Sequence, residues 1–80
     1  MDNQIYQKYL NIYVNQAVRQ SNGSISEIYD CLGQITVGGW LTRHKAEKTR
    51  AIQDAMRAFS EHRHWPLEII LSHLGVEIKE

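Results

Sequence analysis

A small all-α bundle of three to four helices, two of them long, is the fold the sequence predicts, and three observations lead there. Apolar residues recur at helical spacing through two long stretches. Glycine and proline fall at the boundaries between most of the stretches, where they cost least. Capping signatures stand where helices should start and stop. With 80 residues there is room for one domain, residues 1–80, around one core.

The first helix is expected over residues 3–21, a segment with no glycine or proline before Gly23. At 100° per residue its apolar side chains, among them Ile5, Leu10, Ile12, Val14 and Val18, spread over about 240° of circumference. Lys8, Asn11, Asn15 and Arg19 are left for the solvated side. An arc that wide exceeds the ~100° stripe a single neighbour needs, so this helix should lie between two surfaces. One of them is expected to be a second subunit, because a lone core of this size is marginal.

Ser21-Asn22-Gly23 closes the first helix, with Gly23 suited to a left-handed position, and Ser24-Ile25-Ser26-Glu27 is a capping-box pattern for the second, expected over 25–34. Ile28, Leu32 and Ile35 form its apolar face, with Tyr29 and Cys31 at the margins. Gly38-Gly39 makes a flexible connection. The third and longest helix is placed over 40–63, with Leu41, Ile52, Ala55, Met56 and Phe59 on one stripe. Pro66 breaks it and opens a fourth helix, 66–74, which Gly75 ends before a short tail.

Composition narrows the function. Formal net charge is zero, which argues against a general polyanion binder, yet residues 40–65 hold six Lys/Arg against three Asp/Glu, leaving three against six elsewhere. The single cysteine permits no internal disulfide and fits a reducing compartment, and no basic segment with an apolar core opens the chain, so a cytoplasmic protein is expected. No apolar run approaches the ~20 residues that span a bilayer, and a membrane role is not expected.

Catalytic chemistry has no visible carrier. Paired carboxylates, phosphate-binding glycine loops and nucleophile elbows are missing, and no acid or amide orients a histidine toward Cys31. Cys31 reads as a small hydrophobe on a helix margin. His44, His62, His64 and His73 lack metal-site spacing: on a continuous helix His62 and His64 would stand about 200° apart. The expectation is no enzyme, no metal, no cofactor and no small-molecule substrate.

Basic residues and tyrosines remain. Arg43, Lys45, Lys48, Arg50 and Arg63 are the candidates for contacting a partner protein or nucleic acid. Arg43, Arg50 and Arg57 each have an acid four positions on, Glu47, Asp54 and Glu61, the pattern of a solvated charge ladder. Lys45, Lys48 and Arg63 have no such partner. Tyr6, Tyr9 and Tyr13 lie within about 60° of arc on the first helix and, with Trp40, are the expected oligomer interface.

A helix-turn-helix fits the residues poorly. Gly33 as the turn glycine puts Tyr29 where a small residue normally sits and Gly39 where an apolar anchor belongs, while an alignment on Ile70 to Val76 leaves four residues for a recognition helix. The expected function is thus a small non-enzymatic regulator or inhibitor, of the phage, plasmid or bacterial accessory kind, that docks on another protein and pairs with itself as a homodimer. The alternative is a DNA- or RNA-binding regulator that uses the basic third helix. A small-ligand carrier with an interior cavity lined by Tyr13, Met56 and Phe59 is the third reading.

Overall fold

The unbroken helical pattern at the start of the chain folds as α1 (Asp2–Gln20), followed by α2 (Ile25–Gln34), α3 (Lys45–Glu61) and α4 (Leu67–Leu74). This is a computed structural model, and it describes residues 2–37 and 42–78. The chain is all-helical and compact. Its radius of gyration of 12.0 Å matches the roughly 12 Å of a packed domain of this length.

Helical periodicity becomes one core. Leu10, Val14 and Ala17 from α1 join Ile28 and Leu32 from α2, Ala51, Ala55, Ala58 and Phe59 from α3, Ile70 and Leu71 from α4, and Val76 from the tail. Burying a Phe, Leu or Ile completely contributes about 1.5–3 kcal/mol. Ala51 and Ala58, expected beside the stripe of α3, lie in its buried centre. Their short side chains bring the backbone of α3 close to the core it shares with α1.

Most of the over-wide apolar arc of α1 is covered within one chain, while Ile12 stays exposed. α1 packs most extensively on α3 and also on α2. The C-terminal tail takes a further side. Gln7 Nε2 donates to the Gly75 carbonyl at 3.0 Å, and Asn15 Nδ2 donates to the Glu77 carbonyl at 2.9 Å and to the Asn11 carbonyl at 2.8 Å. Asn15, expected on the solvated side, is buried at 6% exposure. A buried amide is tolerated where its donors are used, and here they hold a tail whose sequence has no periodicity to announce it.

Helix boundaries follow local chemistry. Gly23 adopts φ 88° between α1 and α2 as its sequence suggests, but the capping box does not close: Ser24 Oγ lies 3.1 Å from Ser26 Oγ and makes no cap bond, and Glu27 Oε2 accepts from Asn22 Nδ2 at 3.5 Å. α3 begins at Lys45, later than the expected residue 40. His44 holds a left-handed φ of 57°, which breaks the helical path, while its carbonyl accepts the first bond from the Lys48 amide at 2.9 Å. Trp40 and Leu41 lie outside the described residues. α3 ends at Glu61, two residues earlier than expected, and Pro66 is the N-cap of α4, not its first residue. At the far end of α4, Gly75 at φ 71° and the bonds Gly75 N to Ser72 O and Val76 N to Leu71 O form a Schellman closure.

Two glycines and one amide test this account. Gly75→Ala should lower stability by about 1–2 kcal/mol, the cost of a Cβ in left-handed geometry. Gly33→Ala should raise it by about 0.5 kcal/mol through helix propensity. Its added methyl would meet only the flexible Met56 Cε, 3.3 Å away. Asn15→Ala should cost about 1–3 kcal/mol and speed amide exchange at Val76 to Ile78, since it strips the Glu77 carbonyl of its donor. Urea unfolding and hydrogen exchange measure all three.

Candidate functional site

α1 and α3 run antiparallel, so positions ascending on one meet positions descending on the other. Tyr6 therefore meets Asp54 and Arg50, and Tyr9 meets Lys48 and His44. Tyr6 and Tyr9 come out half-buried on this seam, and Tyr13, also half-buried, stacks on Tyr9 and lines a groove with the end of α2; all three pack against the core.

The tyrosine rings do not form a bare apolar face. The Lys48 ammonium stands 4.8 Å from the centroid of the Tyr9 ring and that of Lys8 5.9 Å from it, while the Arg50 guanidinium lies 4.5 Å from the centroid of Tyr6. Each cation is drawn to the negative face of a ring, a contact that contributes about 0.5–1 kcal/mol at exposed sites. Tyr9 stacks on Tyr13 with centroids 5.9 Å apart at 24°, and the His44 ring lies 6.4 Å from Tyr9. Arg43 and Lys45, both exposed, flank His44 in sequence at the start of α3.

The charge ladder is broken at its first two rungs. Arg43 precedes α3, so helical spacing to Glu47 does not apply to it. Arg50 and Asp54 both turn to Tyr6, whose hydroxyl donates to Asp54 Oδ2 at 2.7 Å. Burial pushes the Tyr6 phenol up from 10.0 to about 12; the Asp54 hydrogen bond and the Asp54 charge add to the rise, and Arg50 opposes it. Tyr13 is raised as well, by burial and then by Tyr9.

Of the residues singled out in the sequence, Lys48, Arg50, Tyr6, Tyr9 and Tyr13 are brought together, with Arg43 and Lys45 at the adjoining start of α3. Arg63 is not among them. It lies beyond the other end of α3, in a groove with Ile25 and Tyr29 of α2, and a 17-residue helix separates the two places by about 25 Å at ~1.5 Å per residue. Trp40, expected to share the tyrosine interface, lies outside the described residues. Tyr13 and Phe59 line separate surface grooves, so the interior pocket expected from Tyr13, Met56 and Phe59 is not built in that form.

Two features escaped the sequence. Lys8 was read as a solvated residue, because adjacent positions on a helix do not face one another and only its long stem lets it reach Tyr9. His62 stacks on Trp65 with centroids 3.8 Å apart at 12°, and His73 meets both rings edge-on at 5.1 and 5.6 Å. The pairing of His62 with His73 depends on how α4 folds back, which spacing does not reveal. Among the described residues no group of three or more His, Cys, Asp or Glu is placed to hold a metal ion, and no helix is long and apolar enough to cross a membrane.

Comparison with known family models, curated proteins and solved structures gives no match, so the reading of this face rests on its own chemistry.

The raised Tyr6 phenol has a pH consequence with a definite sign. Its folded pKa lies above the unfolded value of 10.0, so its contribution to stability is intact below pH 10.0 and is lost as pH rises toward about 12. Asp54→Asn should bring the Tyr6 transition closer to 10.0 in a tyrosinate absorbance titration. A Tyr6 midpoint that does not move would mean that Asp54 plays no part in the shift.

Proposed function

We propose that this chain is a non-enzymatic regulator or inhibitor that docks on an acidic surface of another protein through the α1–α3 tyrosine face. The observation that carries this reading is the cover of cations on that face: Lys8 and Lys48 beside Tyr9, and Arg50 on Tyr6. Tyrosines supply contact area at low entropic cost, and the ammonium and guanidinium groups around them select carboxylates. Arg43 and Lys45 extend the basic region at the start of α3. The same cover argues for a foreign partner over the homodimer expected from sequence. Two copies meeting here across a twofold axis would set Lys8, Lys48 and Arg50 against their own counterparts.

A nucleic acid is the second reading, favoured by the placement of Arg43, Lys45 and Lys48 around one helix start beside exposed tyrosine edges. The zero net charge and the distance of Arg63 from this cluster favour the protein reading.

The test uses one variant and two probes. Immobilised wild-type chain should retain a protein from host extract, nuclease-treated or not, and the double variant Lys45→Glu/Lys48→Glu should lose at least tenfold of that retention while keeping its helical circular dichroism. Duplex DNA should be ignored at physiological salt. Binding of DNA that falls steeply with salt, at about 0.9 log units per phosphate contact, and that the double variant abolishes, would move the assignment to nucleic acid. Light scattering on the free chain should give the monomer mass, and a stable dimer that survives Tyr9→Asp would place self-association on another face.

A further inference from the structure

The groove between the start of α2 and the end of α3 lies apart from the tyrosine face and has the make-up of a small-molecule site. It is an open groove with about 530 Å³ of space, inside the roughly 300–1,000 Å³ range of ligand pockets. Ile25, Tyr29 and Phe59 give it an apolar wall, and Arg63 and Asp30 are the charged residues that line it. Phe59 is otherwise fully buried, so the groove reaches the core, whereas Tyr29 is 38% exposed and stands over it.

Charge order along the groove selects an occupant. α2 and α3 are antiparallel, since Gly33 of α2 packs beside Met56 while Ser24 to Asp30 share the groove with Phe59 to Arg63. Arg63, two residues beyond the end of α3, thus belongs to the α2-start end. Asp30 lies six residues beyond Ser24 along the α2 lining of the groove, about 9 Å from it at ~1.5 Å per residue, and so toward the other end. The guanidinium fork suits one carboxylate. The Asp30 carboxylate repels a second anion and accepts from a donor.

We propose that this groove binds a rod-shaped aromatic monocarboxylate that carries a hydrogen-bond donor at its far end. Its carboxylate pairs with Arg63, its ring lies against Tyr29 and Phe59, and its donor meets Asp30. Ser60 adds a hydroxyl to the groove between the two ends.

The experiment is an amide-resolved NMR titration of the full chain with 4-hydroxyphenylacetate, run beside phenylacetate and a matched aromatic dicarboxylate. Saturable shifts confined to Ile25, Tyr29, Phe59 and Arg63 are expected, with 4-hydroxyphenylacetate binding tightest and the dicarboxylate weakest. Arg63→Gln should weaken binding about 10-fold or more, as for loss of a charge-assisted hydrogen bond. Asp30→Asn should abolish the discrimination against the dicarboxylate. Both residues are exposed, so both variants should fold, which their amide spectra verify. Shifts scattered over the surface, no saturation, or an affinity indifferent to Arg63→Gln would overturn the proposal.

Discussion

Everything in this molecule hangs on the antiparallel packing of α1 against α3. The pairing draws Leu10, Val14 and Ala17 into one core with Ala51, Ala55, Ala58 and Phe59. α3 can come close because three of those four residues are alanines, and a close helix pair leaves no room between the axes for the larger tyrosines. Tyr6 and Tyr9 are therefore pushed to the rim of the seam, half-buried, where long basic side chains from both helices close over them. The candidate docking face is thus a by-product of core geometry: the small residues that permit the contact also decide where the aromatic rings emerge.

A second constraint is the shortage of elements. Among the described residues four helices form the bundle, and on the remaining side of α1 the C-terminal tail is held by the side-chain amides of α1 instead of a packed helix. Gln7 and Asn15 hold backbone carbonyls of residues 74, 75 and 77, and Val76 drops into the core between those points. The Schellman closure at Gly75 aims the tail at them. Polar anchoring of this sort is directional, which a sliding apolar contact is not, so it fixes the path of a segment that has no secondary structure of its own.

The two ends of α3 carry different chemistry. At its start, Lys8 and Lys48 stand over Tyr9 and Arg50 over Tyr6, whose hydroxyl is held by Asp54. At its end, Arg63 and Asp30 line one groove together with Ile25, Tyr29 and Phe59. The His62, Trp65 and His73 rings lie at the same end, at the corner between α3 and α4, where His62 stacks flat on Trp65. That stack, with His73 against its edge, braces the corner that Pro66 creates.

The all-helical class, the order of the described helices, the glycines at 23 and 75 and most of the core were legible in the residue pattern, because each depends on periodicity or on the φ angles one residue type allows. That pattern also marked Tyr6, Tyr9, Tyr13, Lys48 and Arg50 as residues of interest. What each of them touches was set by the packing of the helices. Helical periodicity says that a residue faces inward or outward, but which helix lies opposite, and at what register, is a property of the pairing. Hence Asn15 was assigned to water when a tail lay over it, Arg63 was grouped with lysines a whole helix away, and the late start of α3 at Lys45 went unseen because a left-handed histidine leaves no mark in composition. The wide apolar arc of α1 was legible as a number of degrees. That its partners are α2, α3 and a hydrogen-bonded tail of the same chain follows only from how the whole chain closes.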